Sequence, residues 1–195
     1  MKPIIVLKIG TSTLTAGTEN ISRGKIEDIS RQLLELKKEY NIILVSSGAI
    51  ATARQFIKLN KTKKSIKNKS ALSAIGQPKL MQIYIEVFND FGLNAAQCLL
   101  THYDLKGNDS RLNTKNTILD LLKHDYIPII NENDTVAVEE IILGDNDKLS
   151  AMVAELVGAS KLVIASDIDG IFNGNPNLNP DAKLIEEVRS IDEIK

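Results

Sequence analysis

The sequence predicts an α/β fold: an open, mainly parallel sheet, doubly wound, with helices on both faces. Short β-branched runs alternate along the chain with segments of helical periodicity, and such repetition builds parallel strands through right-handed crossovers. The runs are also short and apolar with turn residues nearby, which reads as buried strands covered on both faces. Composition agrees: 43% of the 195 residues are hydrophobic and only 4% aromatic, so the core must be mainly Ile, Leu, Val and Ala. That length suits one globular domain, and no internal repeat or linker divides it.

The first strand is "PIIVLKI" (Pro3–Ile9). Ile26, Ile29, Leu33, Leu36 and Tyr40 then recur at three- and four-residue spacing, one face of an amphipathic helix. "IILVS" (Ile42–Ser46) is the second strand, and the turn "SSGAI" opens a helix at about Ala49. "KLNKTKKSIKNKS" (Lys58–Ser70), with six lysines and little apolar content, reads as a solvated loop. "SALSAIGQPKLMQIYIEVFNDF" is helical in pattern, with Gly76 and Pro78 expected to interrupt or kink it. "LNAAQCLLT" (Leu93–Thr101) is the third strand, "SRLNTKNTILDLLKH" a helix, "YIPII" (Tyr126–Ile130) the fourth strand and "NDKLSAMVAELVG" another helix. "KLVIAS" (Lys161–Ser166) is the fifth strand, followed by the long Gly/Asn/Pro loop "SDIDGIFNGNPNLNP".

Several classes are disfavoured. A net charge of -1 argues against a dedicated nucleic-acid or membrane-surface binder. No stretch approaches the length of a membrane span, and "MKPIIVLKIG" has too short an apolar run for a signal peptide. Cys98 is the only cysteine, which precludes an intrachain disulfide and favours a reducing, cytoplasmic setting. Within "AAQCLL" it reads as a packed, inert thiol. His102 and His124 show no metal-ligand spacing, and no Ser–His–Asp arrangement can be argued.

Ligands of open α/β sheets bind beyond the carboxyl ends of the strands, so the segments after each strand are where chemistry is expected. After the first, Gly10 lets the chain turn with its amides exposed and Thr11, Ser12 and Thr13 supply hydroxyls. Such a turn forms a nest for phosphate oxygens, and the Lys8 ammonium is placed to neutralise charge developed in transfer. Taken alone, a lysine near a strand end more often simply snorkels to solvent. After the second strand, Ser47 precedes a helix N-terminus, which attracts anions or is merely capped.

After the fourth strand, six carboxylates and no Lys or Arg fall between Asn131 and Asp147. Asn131, Asn133 and Asp134 extend directly from the strand; Asp145, Asn146 and Asp147 precede the next helix, where capping explains one residue of the run but not the cluster. Glu139 and Glu140, between apolar neighbours, are assigned to solvent on a hairpin or edge strand. After the fifth strand, Ser166 and Asp167 begin a loop that is either a nucleotide rim or plain surface.

Together "VLKIGTS", "VSSGAIA", "SAIGQPKLMQ", "PIINENDTVA", "GDNDKLSA" and "ASDIDGIF" resemble the amino acid kinase family across essentially the whole chain. "INEND" followed by "GDND" is specific to its glutamate-phosphorylating branch. The resemblance implies a three-layer αβα sandwich and transfer of the γ-phosphoryl group of ATP, with Mg2+, to the side-chain carboxylate of L-glutamate, the step that commits glutamate to proline synthesis. It implies that Lys8 stabilises the transferring phosphoryl group and that Ser47, Asp134 and Asn146 bind glutamate. Asp147 then orients the lysine; Lys8, Gly10, Thr11, Ser166 and Asp167 contact the nucleotide.

The physics accords. Glutamate brings a positive α-ammonium, so an acidic pocket selects for the free amine. One carboxylate about 4 Å away is worth roughly 4 kcal/mol at an effective dielectric near 20, before desolvation. A homo-oligomer, dimer or tetramer, is expected from apolar helix faces, with no nucleic-acid or membrane partner. The family pattern continues into a further Gly-rich turn ending in a second phosphate-binding lysine, whereas this chain stops at "RSIDEIK". Residues 1–195 are therefore expected to form a single kinase domain lacking its C-terminal part, without an appended RNA-binding-like domain.

Three rivals are distinguishable. Acetylglutamate kinase takes a substrate with no ammonium to partner Asp134. A UMP kinase needs basic residues that the acidic loop does not offer. A nucleotide- or amino-acid-sensing module would bind without turnover.

Overall fold

The computed structural model describes residues 2–57, 66–137, 146–176, 178–179 and 181–190. Glu139, Glu140, Asp145 and residues 58–65 of the lysine-rich stretch lie outside the described residues, whereas residues 66–70, expected to be loop, open the helix Ile66–Asp90. The chain falls into two compact units, residues 1–165 and 166–195.

The first unit holds the five predicted strands: β1 (Ile4–Ile9), β2 (Asn41–Ser46), β3 (Asn94–Leu100), β4 (Tyr126–Glu132) and β5 (Lys161–Ala165). They form one sheet in the order β3-β4-β2-β1-β5, every pair parallel. Seven helices accompany them among the described residues: α1 (Thr11–Thr15), α2 (Arg23–Leu36), α3 (Ala49–Phe56), α4 (Ile66–Asp90), α5 (His102–Lys106), α6 (Asn108–Lys123) and α7 (Asn146–Val157).

The sheet separates two cores, because successive side chains of a strand point to opposite faces. Ile5 and Ile9 of β1, Ile42 and Leu44 of β2 and Ile127 and Ile129 of β4 join Ile26 and Leu33 of α2 and Leu80, Tyr84, Val87 and Phe88 of α4. Ile4 and Val6, Ile43 and Val45, and Ile130 join Leu105 of α5, Ile118 and Leu122 of α6 and Leu149, Val153 and Leu156 of α7. This is the expected three-layer αβα sandwich.

Three expectations need correction. The strands are not all covered on both faces: in β3 and β5, the two edges, Leu99, Val163 and Ile164 are exposed, because an outer strand has fewer neighbours to cover it. Pro78 does not interrupt α4, which runs unbroken over Ile66–Asp90. The proline forfeits one backbone hydrogen bond, but Leu80, Met81, Tyr84, Val87 and Phe88 beyond it are all buried, and that packing holds the helix. The turn after β1 is not an open loop of amides but the short helix α1, which periodicity over five residues cannot announce.

The second unit contains a two-stranded antiparallel ribbon, β6 (Ile171–Phe172) with β7 (Leu184–Ile185), inside the stretch expected to be loop.

Candidate functional site

Because all five strands run the same way, their carboxyl ends lie along one edge of the sheet. Register makes this concrete: Ile9 of β1 pairs with Ser46 of β2 and with Ala165 of β5. Val45 pairs with Ile130, and Leu100 with Glu132. Beyond that edge the alternation of the strands continues into polar residues, and facing assigns each its partner.

Lys8 follows Ile4 and Val6 on the α7 face of β1, and it does not snorkel. It is buried, and its Nζ lies 2.6 Å from Oδ1 of Asp147 in the first turn of α7. An ammonium out of water must be paired to be tolerated, and a carboxylate near a helix N-terminus is favoured by the helix dipole. Gly10 has an ordinary extended conformation, so backbone freedom is not why glycine stands there. Its missing side chain matters instead: a Cβ would sit 3.5 Å from Lys8 Nζ and close one approach to the ammonium. Thr11 and Ser12 are exposed, and Thr13 donates weakly to the Ala165 carbonyl at 3.5 Å.

Ser46 takes the opposite face. It is buried against α4, its Oγ 2.9 Å from the hydroxyl of Tyr84, whose titration burial pushes up to about 12. Ser47 donates its backbone N–H to the Ile9 carbonyl at 3.0 Å, extending the β1–β2 register by one residue. Gly48 then adopts φ 106°, a left-handed conformation disfavoured for side-chain-bearing residues, and α3 starts at Ala49 as expected.

Asn131 follows Ile127 and Ile129 on the α4 face, where it is buried and donates from Nδ2 to Oε1 of Gln77 at 2.9 Å. Asn131 Oδ1 accepts from the Glu132 backbone N–H at 2.9 Å and from Asn146 Nδ2 at 3.0 Å. Asn146 Nδ2 also donates to Ser47 Oγ at 2.7 Å. Asp134, half-buried, accepts from the buried Ser73 hydroxyl of α4 at 2.7 Å. The loops after β2 and β4, the start of α7 and the middle of α4 thus share one polar cluster, with the Lys8–Asp147 pair at its margin.

Of the residues singled out in the sequence, Lys8, Gly10, Ser47, Asp134, Asn146 and Asp147 meet at this edge of the first unit. Thr11 opens α1 beside Gly10. Ser166 and Asp167 belong to the second unit, where both are exposed and Ser166 Oγ lies 3.4 Å from Asp167 Oδ1. Ser46, Ser73, Gln77 and Tyr84 were missed. Ser73 and Gln77 carried a usable signal: polar residues four apart within the apolar pattern of "SALSAIGQ", hence one helix face. Cys98 is partly buried, and burial raises its thiol pKa, as expected of a packed thiol. Among the described residues no three His, Cys, Asp or Glu side chains gather to hold a metal ion, and no helix is long and apolar enough to cross a membrane.

The family described as amino acid kinase matches residues 3–195. A Herpetosiphon aurantiacus protein named glutamate 5-kinase is 44% identical over 190 residues, covering 97% of this chain and 51% of its own length. One from Pseudoalteromonas translucida, named glutamate 5-kinase 2, is 44% identical over 191 residues, covering 97% and 52%. The chain thus spans about half the length of the curated relatives it matches. Among solved structures, one of isopentenyl phosphate kinase superposes with a TM-score of 0.66 at 18% identity, covering 98% of this chain and 82% of that one. UMP kinase from Ureaplasma parvum gives 0.59 at 20% identity, covering 96% and 77%. At such identities these two speak for the fold alone.

Proposed function

The chain belongs to the amino acid kinase family, and from that premise we propose that it takes part in transferring the γ-phosphoryl group of ATP to the side-chain carboxylate of L-glutamate. The product is L-glutamyl 5-phosphate, the first intermediate toward proline. One observation carries the reading. Consecutive residues in the first turn of α7 serve two different sites: Asn146 holds Ser47, and Asp147 holds the Lys8 ammonium. That adjacency supports an amino-acid pocket standing beside a phosphoryl-stabilising charge.

The acceptor carboxylate is already ionised near neutral pH, so no general base is required. Catalysis reduces to positioning and charge neutralisation. Lys8, buried and aimed by Asp147, stabilises the negative charge spread over the phosphoryl oxygens. Asp134 pairs with the α-ammonium of glutamate, while Ser47 and the first amides of α3 receive the α-carboxylate. Gly10 and Thr11 face the phosphates, and Ser166 and Asp167 contact the nucleotide. Mg2+ would be carried in with the nucleotide. When bound it supplies further neutralisation of phosphate charge. The family match runs through both units, which supports one kinase domain over residues 1–195.

Trapping the acyl phosphate with hydroxylamine in the presence of ATP, Mg2+ and L-glutamate tests the proposal. Hydroxamate should form with L-glutamate and not with N-acetylglutamate, which lacks the charge that Asp134 recognises. Equal use of both substrates contradicts the ammonium argument; ligand binding without turnover favours the sensing module.

A further inference from the structure

Gln77 lies one turn beyond Ser73 on α4, on the same face, and both are buried. Ser73 holds Asp134 and Gln77 holds Asn131, so one helix face braces a polar residue near the end of β4 and another just beyond it. The Gln77 contact does more than pack, because the amides it joins have a forced polarity.

The forcing group is a backbone N–H. Glu132 donates to the Asn131 side chain, and a backbone amide hydrogen cannot be flipped into an acceptor, so the atom facing it must be Oδ1. Asn131 Nδ2 then points at Gln77, which must answer with Oε1. The same Oδ1 meets Asn146, which must answer with Nδ2, and that nitrogen also donates to Ser47 Oγ. Rotating the Asn146 amide by half a turn would set its oxygen against Asn131 Oδ1, so that contact fixes the orientation, and the Ser47 hydroxyl, able to donate or accept, follows it.

Two consequences reach the pocket. Asn146 Oδ1 forms no hydrogen bond to the described residues, so it stays available as an acceptor. Ser47 Oγ accepts from Asn146, which leaves its own proton available to donate. The pocket therefore offers an acceptor for an ammonium beside a donor for a carboxylate, the two poles of a zwitterionic α-amino acid.

We infer that Gln77 is a positioning residue that sets substrate specificity: its Oε1 locks Asn131, and through it Asn146 and Ser47, in the polarity that recognises a free α-amino acid. This rests on the function proposed above and adds the residue that enforces its selectivity.

The test uses the full chain as it occurs naturally. Gln77→Met, similar in length but without the acceptor, should raise KM for L-glutamate about tenfold while leaving KM for ATP and kcat within about twofold. Gln77→Glu, which keeps an oxygen facing Asn131 Nδ2, should stay within about threefold of wild type. Since Gln77 acts through Asn146, the double variant Gln77→Met/Asn146→Ala should be no worse than Asn146→Ala alone. Additive losses, an unchanged KM in Gln77→Met, or an equal rise in KM for ATP overturns the assignment. Side-chain amide NMR on the wild type decides the geometry even if Gln77→Met does not fold or glutamate proves not to be the substrate. The Nδ2 protons of Asn131 and Asn146 should exchange slowly with water, and rapid exchange of both overturns the network. Wild type that shows slow exchange but does not phosphorylate glutamate refutes the proposed reaction and leaves the amide polarity standing.

Discussion

Replacing Gly76 by alanine adds one methyl group where helices α3 and α4 touch. A Cβ built there would lie 1.8 Å from the Ala49 carbonyl oxygen and 2.8 Å from both the Ala49 carbonyl carbon and the Ala53 nitrogen. All three atoms are backbone, so no side chain can rotate aside. Restoring ordinary contact, 3.4 Å or more, requires the helices to separate locally by about 1.6 Å. Overpacking of this kind costs about 1–3 kcal/mol, and a clash with backbone falls at the upper end. Alanine's better helix propensity returns at most about 1 kcal/mol, leaving a net loss near 2 kcal/mol. For a chain of this size that lowers Tm by about 4–8 °C. Function should suffer more, because α3 begins two residues after Ser47 and a 1 Å misplacement of a substrate contact costs about 10²-fold in rate. Thermal unfolding followed by circular dichroism, with Gly24→Ala as the reference, gives the answer. Gly24 is exposed in the first turn of α2, with only the Ser22 hydroxyl near its absent Cβ, so the same change there should raise Tm slightly. If Gly76→Ala is as stable as wild type, or stabilised like Gly24→Ala, the close crossing of α3 and α4 is not what the structure says it is.

Other variants probe the site directly. Lys8→Ala should lower kcat at least 10²-fold, the scale for losing a charge partner of the transition state, and unchanged turnover removes Lys8 from the mechanism. Asp147→Asn, which loosens the 2.6 Å contact to Lys8, should cut kcat with little effect on nucleotide affinity; a pure binding defect would show the role misassigned. Asp134→Ala should chiefly raise KM for L-glutamate, and a loss confined to kcat would place the ammonium elsewhere. Tyr84 gives a pH signature. Its folded pKa of about 12 lies above the ordinary value of 10.0, so the stability held by the neutral hydroxyl is complete below pH 10 and is lost as pH rises toward 12. The span corresponds to about 3 kcal/mol. Tyr84→Phe should flatten that alkaline decline in denaturant titrations, and identical slopes in both proteins refute the burial argument.

The chain yields its strands readily because each is a short, mainly apolar run, and five of five lie where those runs stand. It conceals whatever depends on neighbours. The partial exposure of Val163 and Leu99 follows from the order β3-β4-β2-β1-β5, and nothing local in "KLVIA" or "NAAQCLL" says that a strand is outermost. The same holds at the site. Lys8, Ser47, Asp134, Asn146 and Asp147 are legible as strand-end and helix-start residues, whereas Tyr84 reads as one more core aromatic until Ser46 is seen against its hydroxyl. Ser73 and Gln77 sit 54 or more residues from their partners, and their meaning is tertiary.

The alternation that carries Ile4, Val6 and Lys8 to one layer, and Ile127, Ile129 and Asn131 to the other, makes reactivity hostage to threading. Inserting or deleting a single residue within β1 would leave an aliphatic ribbon still able to zip against β2, yet would rotate the ammonium through the sheet, away from Asp147 and among the hydrocarbon side chains beneath α4. Indels in these strands should therefore abolish turnover even where they spare solubility.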